Sequence, residues 1–293
     1  MVCTKTFGEK VFDVLNHIIL ALLVVLTLYP CWYVLVASVS DPVLVSREGS
    51  GLLMWPKGFD LFNYARVFDN IMIWSGYRNT LFYVLFGGAL SLFLTITSAF
   101  ALTRKGLPGR NTIMLLIIFT MYFSGGLIPT YLVVKHLHIT DTIFAVFLPM
   151  AVSTYNLIIT ISYFKSIPPS LEEAAKIDGA SDFKVLFAIM IPLAMPIIAV
   201  IALYYMVGIW NNYFQGLIYL NDRKLFPLQL ILREILIQED ASMLAGSGAT
   251  DTQAYAENIK YATIVVSTVP ILLVYPFLQK YFVKGVMIGA VKE

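Results

Sequence analysis

The sequence predicts an all-α membrane protein: six transmembrane helices in a single domain covering residues 1–293. Three observations point there. Composition is the first, with 59% hydrophobic and only 13% charged residues and a mean hydropathy of +0.79. A soluble domain carries about a quarter charged residues. Second, the missing charge is concentrated in six uncharged windows of about 19–27 residues, each enough to cross a ~30 Å hydrocarbon core at 1.5 Å per residue. Third, the alternating pattern of a membrane barrel is absent. In lipid every backbone amide needs a partner within its own segment, which leaves the helix as the spanning element.

Span one falls at about Ile18–Ser38, inside a stretch from Val14 to Ser40 without Lys, Arg, Asp or Glu. That stretch exceeds a signal-peptide apolar region of roughly 7–15 residues. Leu35-Val36-Ala37 would pass as a cleavage site, but the length favours a retained signal-anchor helix. Span two lies between Arg78 and Arg104, span three between Arg110 and Lys135, and span four between Asp141 and Lys165. Span five runs from about Val185 to Trp210, and span six fills the interval between Lys260 and Lys280.

The short turn from Arg104 to Arg110 holds three basic residues and no acid. Its side of the membrane, shared by both termini, carries eleven Lys/Arg and seven Asp/Glu, against nine and eleven on the other side. Short basic loops stay in the cytoplasm, so both ends of this multi-pass protein are expected there. The longer connections, Asp41–Arg78 and Asn221–Asn258, then lie outside and have room for structure of their own. Ala245-Gly246-Ser247-Gly248-Ala249 reads as a flexible tract.

Residues 165–180 form an inner connection unlike a plain turn. Pro168 and Pro169 end the preceding helix. Ser170 followed by Glu173 has the spacing of a capping box that opens a new helix, and Glu172 and Glu173 suit its positive end. Leu171, Ala174, Ala175 and Asp178 share one helical face, and Gly179 supplies a stop. The result is a helix of about two turns outside the bilayer. It fits a lever that a partner could grip, and equally a capped connector.

Beyond these residues the spacing is recognisable. Glu173-Ala174-Ala175, Gly179 after three more residues, then Ile189, Ile191 and Pro192 resemble the EAA signature of importer permeases in the ABC transporter superfamily. Ile191 stands where Leu is usual. Asp178-Gly179-Ala180 and Pro196 fit the carbohydrate-uptake branch, of the maltose and multiple-sugar type. The tail 280–293, with Tyr281-Phe282-Val283-Lys284-Gly285-Val286-Met287-Ile288-Gly289-Ala290-Val291-Lys292, looks like that of its second six-helix subunit. The resemblance implies that Glu173, Ala174, Ala175, Asp178 and Gly179 contact a cytoplasmic ABC ATPase dimer, whose closure opens the pore outward. It also implies a second permease, a paralogue, and an extracytoplasmic sugar-binding protein reached by the 221–258 loop. ATP and Mg would be bound by the ATPase, since this chain has no phosphate loop of its own.

For the cargo, spans four and five hold the most polar and aromatic groups at membrane depth. Tyr155 and Asn156 lie with Ser153, Thr154 and Thr160 in span four. Tyr204, Tyr205, Trp210, Asn211, Asn212, Tyr213 and Gln215 lie towards the outer end of span five. Aromatic faces stack on sugar rings and amides both donate and accept. Trp210 to Tyr213 fit an interfacial aromatic belt as well as a sugar path, whereas Asn156 is deeper and favours a polar interior.

Other chemistries lack residues. A net charge of +2 gives nucleic acid no purchase, and Cys3 and Cys31 suggest no disulfide framework or metal site. His136 and His138 stand two apart, on different helix faces, which excludes a metal pair there. Lys135 beside them could attract an acidic sugar but is also an ordinary boundary anchor. No span window contains Asp or Glu, against a proton relay. His17, alone among histidines in a span, provides no catalytic constellation.

Overall fold

The computed structural model describes residues 6–47, 51–104, 106–244 and 258–273. The chain divides into two compact units, one from Met1–Asn70 with Glu234–Thr268, the other from Ile71–Arg233 with Val269–Glu293.

The first unit is led by α1, Phe7–Ser38. It starts well before the predicted span, where the Thr6 N–H donates to Glu9 Oε2 at 2.7 Å. Only Val36, Ala37 and Ser38 of α1 are buried, so its apolar length is a surface made for lipid. At that end Val36, Ala37, Val45 and Leu53 pack with Tyr33 and Tyr261. Two short helices follow, α2 at Pro42–Arg47 and α3 at Phe62–Asp69.

The second unit is built around α4, Ile71–Thr103, an uninterrupted apolar helix of 33 residues. It widens to a π-helical turn at Tyr83–Gly87. A Cβ on Gly87 would lie 2.8 Å from Phe147 Cβ, so glycine there lets the neighbouring helix approach.

The next three predicted spans are not straight. Each is a pair of helices meeting at a break. Span three becomes α5, Arg110–Tyr122, and α6, Leu127–His136, bent by 120°. Gly125 and Gly126 sit at the corner, Gly126 with φ +84°. Span four becomes α7, Ile143–Met150, and α8, Thr154–Ser166, bent by 52°, with Pro149 in the final tight turn of α7. Past α8 comes the short α9, Pro169–Ile177. Span five becomes α10, Asp182–Leu193, and α11, Met195–Trp210, bent by 85°. Pro192 and Pro196 flank that corner, and neither has an amide proton to carry the helix through.

The predicted outer segment 221–258 contains α13, Leu228–Leu244, preceded by the short α12, Phe214–Tyr219. The last helix among the described residues is α14, Asn258–Leu273. The tract Ala245–Ala249, the rest of span six and the tail 280–293 lie outside the described residues.

A hydrophobic core joins α4, α8 and both halves of span five. Phe100, Leu102, Leu157, Phe164, Val185 and Met190 are among its buried members. At the other end of α4 a polar clasp holds the chain entering α13. Asn79 Nδ2 donates to the carbonyls of Lys224 at 2.6 Å and Phe226 at 3.0 Å. The Tyr83 hydroxyl donates to Leu225 O at 2.7 Å, and the Leu228 N–H donates to Thr80 Oγ1 at 2.8 Å. Nearby, Asp141 Oδ1 accepts the backbone N–H groups of Asn221 and Asp222 at 2.8 and 2.9 Å. Those bonds hold its carboxyl below the ordinary aspartate value.

Asn79→Ala strips the buried Phe226 carbonyl and the part-buried Lys224 carbonyl of their shared donor, at a cost of about 1–3 kcal/mol. The expected outcome is a lower thermal midpoint in detergent with membrane insertion unchanged.

Candidate functional site

Two sites emerge, at different levels of the second unit. The first is a cavity of about 470 Å³ walled by α7, α8 and α11, within the range of roughly 300–1,000 Å³ found for small-molecule sites. Four of the predicted path residues line it: Tyr155, Asn156, Tyr205 and Asn212, joined by Tyr204. Its walls carry no formally charged side chain. Asn156 is buried, at 5% exposure, while Tyr155 is half exposed.

The break in span four shapes this cavity. Ser153 caps α8, its side chain accepting the Asn156 N–H at 3.4 Å. The Ser153 N–H, outside the helical ladder, donates to the Tyr205 hydroxyl at 3.0 Å. That hydroxyl also bonds Thr95 Oγ1 on α4 at 2.6 Å. Tyr205 therefore ties three helices at the wall of the cavity. A phenol from the next span, 52 positions along the chain, completing the α8 cap is a contact no sequence spacing announces.

The remaining path candidates sit elsewhere. Trp210 is buried, its ring 6.2 Å from that of Tyr77. Asn211 is exposed beyond the end of α11. Tyr213 faces Arg233, whose guanidinium lies 5.3 Å from its ring centre. None of the three lines the cavity: Trp210 closes α11 against Tyr77, and Asn211 and Tyr213 lie on the turn into α12, from which Asn212 reaches the cavity wall.

The second site is α9. It starts two residues earlier than the capping-box reading required. Pro168 is the N-cap, with no side-chain capping bond, and Pro169 opens the helix. Proline at that position has the right φ and lacks a donor that would go unused. Ser170 is displaced into the first turn, and no capping box forms. The stop is as expected. Gly179 has φ +77°, its N–H donates to Lys176 O at 3.0 Å, and Ala180 N–H donates to Ala175 O at 2.9 Å. These two bonds make a complete Schellman motif.

The faces of α9 divide cleanly. Glu173, Ala174, Asp178 and Gly179 are exposed, as are Leu171 and Ile177, the latter at 86%. Ala175 turns the other way, packing with Ala180 and Ile167 against the hydrophobic core. It is thus the anchor of the helix and not part of its outward face. Glu172 also points inward. Its Oε1 pairs with Arg104 Nη1 at the end of α4 and lies 3.2 Å from Lys176 Nζ. Between α9 and the end of α4 lies a cleft of about 780 Å³.

An apolar bundle with an uncharged polar cavity, joined to a rigidly ended helix that offers one face outward, defines a membrane permease. The profile described as "Binding-protein-dependent transport system inner membrane component" matches residues 71–288. The chain belongs to that family of inner-membrane transport components. It is 42% identical over 98% of its length to Protein LplC of Bacillus subtilis strain 168, covering 97% of that protein. It is 41% identical to the polygalacturonan/rhamnogalacturonan transport system permease protein YtcP of the same organism, over 97% of this chain and 99% of that one. Among solved structures, a chain of a bacterial ABC transporter that imports the acidic polysaccharide alginate superposes with a TM-score of 0.85. The two are 32% identical, with 95% of this chain and 99% of that one covered. The ABC-permease resemblance carried by the EAA residues is therefore correct.

Asn156 and Tyr205 separate cargo contact from scaffolding. Tyr205→Phe leaves the Ser153 N–H unpaired, so a loss of about 1–3 kcal/mol in stability is expected. Asn156→Leu is expected to leave the thermal midpoint nearly unchanged and to lower transport. Unchanged transport with a lowered midpoint would instead make Asn156 a link between helices.

Proposed function

We propose that this chain is one transmembrane half of an ATP-driven importer. It moves an oligosaccharide or polysaccharide, delivered by a solute-binding protein, into the cytoplasm. The observation that carries this is α9: a helix whose outward face is free, whose end is fixed by Gly179, and whose inner face is packed on the core. It stands in a chain 41% identical along its length to a polysaccharide permease.

In this reading both termini and α9 are cytoplasmic. An ABC ATPase dimer, with its ATP and Mg, grips Glu173, Ala174, Ile177 and Asp178. Because α9 is joined directly to α8 and, through the Gly179 stop, to α10, its displacement tilts the two broken spans that wall the cavity. Asn156 and Asn212 then offer amides to sugar hydroxyls, and Tyr155 and Tyr204 offer ring faces. A paralogous permease completes the pore, lipid surrounds it, and the segment beyond α13 reaches the binding protein outside.

The test is assembly and coupling. The chain should co-purify with an ATPase and a second permease, and hydrolysis should rise when binding protein and sugar are added. A left-handed residue with a side chain costs roughly 1–2 kcal/mol, and β-branched residues tolerate it least. Gly179→Val should therefore abolish stimulated hydrolysis and transport, while Gly179→Asn, which αL admits, should retain much of both. Normal transport by the valine variant would sink the lever reading.

A further inference from the structure

The coupling helix is joined covalently to α8 and α10, yet its strongest electrostatic contact goes to neither. Arg104, the residue that ends α4, pairs with Glu172 on the first turn of α9. The side chains of this pair are only 20% and 23% exposed. Arg104 is held rigidly for this contact. Its Nε–H donates to Phe100 O at 3.3 Å, and its guanidinium lies 3.9 Å over the Phe100 ring. That ring is buried in the core shared by α4, α8 and α10. Glu172 also meets Lys176, which reaches Asp182 at the start of α10, 3.5 Å away. Cation and anion alternate along a chain from α4 through α9 to α10.

We propose that the Arg104–Glu172 pair is a positioning contact that carries displacement of α9 into α4, and through α4 into the cavity. Helix α4 suits this role because it has no break between Arg104 and Thr95. Those nine residues span about 14 Å at 1.5 Å per residue. At the far end Thr95 bonds Tyr205, which bonds Ser153 at the cavity wall. The two broken spans move at their corners, whereas α4 moves as a rod. A link from α9 to the rod lets the cavity wall respond as one piece. The proposal rests on the importer reading.

The test uses the complete transporter in lipid, with Cys3 and Cys31 replaced by Ser. Nitroxide labels are placed at Ala101 on α4 and Ser166 at the end of α8, both exposed. In the parent protein the two ends travel together, so the dipolar broadening between the labels should be unchanged when ATP and Mg are added. In Arg104→Gln and Glu172→Gln, α8 should move without α4, and the broadening should change with ATP. Hydrolysis stimulated by the binding protein should fall roughly 2- to 30-fold, the range of a local coupling contact. The exchange Arg104→Glu with Glu172→Arg should recover it. Retention of the ATPase by the variants together with ATP-independent broadening would overturn the link and leave the importer reading intact. Failure of the parent protein to retain an ATPase would overturn both.

Discussion

Lipid offers no hydrogen bonds, and this structure is organised by how it deals with that wherever a membrane helix is interrupted. An α-helix satisfies its own backbone, but each corner frees amides and carbonyls that need partners from elsewhere in the protein. Here those partners are side chains of other helices. Tyr205 takes the Ser153 N–H at the corner of span four. Asn79, Thr80 and Tyr83 satisfy the chain entering α13. At the corner of span four the repairing group, Tyr205, also lines the cavity, so the residue that meets the cost of that break adds to the polarity of the site.

In the second unit one long helix escapes interruption. The long α4 contributes Asn79, Thr80 and Tyr83 at one end, Thr95 in its inner half and Arg104 at the other end. Its partners include the entry to α13, the cavity wall and α9. Glycine at position 87, where a Cβ would meet Phe147, lets α7 approach it closely. The bent pairs of spans four and five thus pack against one continuous helix.

At the α9 end the physics changes from backbone repair to charge and anchorage. The outward face bears Glu173, Ala174 and the highly exposed Ile177. The inward face bears Ala175 against the core and Glu172 against Arg104. Burial lowers the Arg104 pKa, while the Asp182 charge opposes that shift. Two adjacent glutamates, alike in sequence, therefore do different work. One is a surface group free for a partner, the other an internal strut contact. Helical periodicity separates them by about 100°.

Much of this was legible in the residues. Uncharged windows located the membrane segments, since apolar length is a property of the local chain. Gly179 announced the helix stop, since only a residue free of Cβ strain takes that φ readily. The Glu-Ala-Ala and Gly spacing marked the family. The corners were also written there, in Gly125-Gly126, Pro149, Pro192 and Pro196, though a hydropathy window averages over such residues and reads each pair as one span. What the sequence could not determine was partnership. The capping box failed because Pro169 pre-empted the helix start, and the partner of the neighbouring Glu172 is Arg104, 68 positions away. Likewise Asn211 has the same side chain as its neighbour Asn212 but stays exposed while Asn212 lines the cavity, and Trp210 and Tyr213 meet Tyr77 and Arg233 instead. Local signals fix where helices begin, end and bend. Only the packing of distant helices decides which side chain completes which broken backbone, because that choice depends on contacts between residues far apart in the chain.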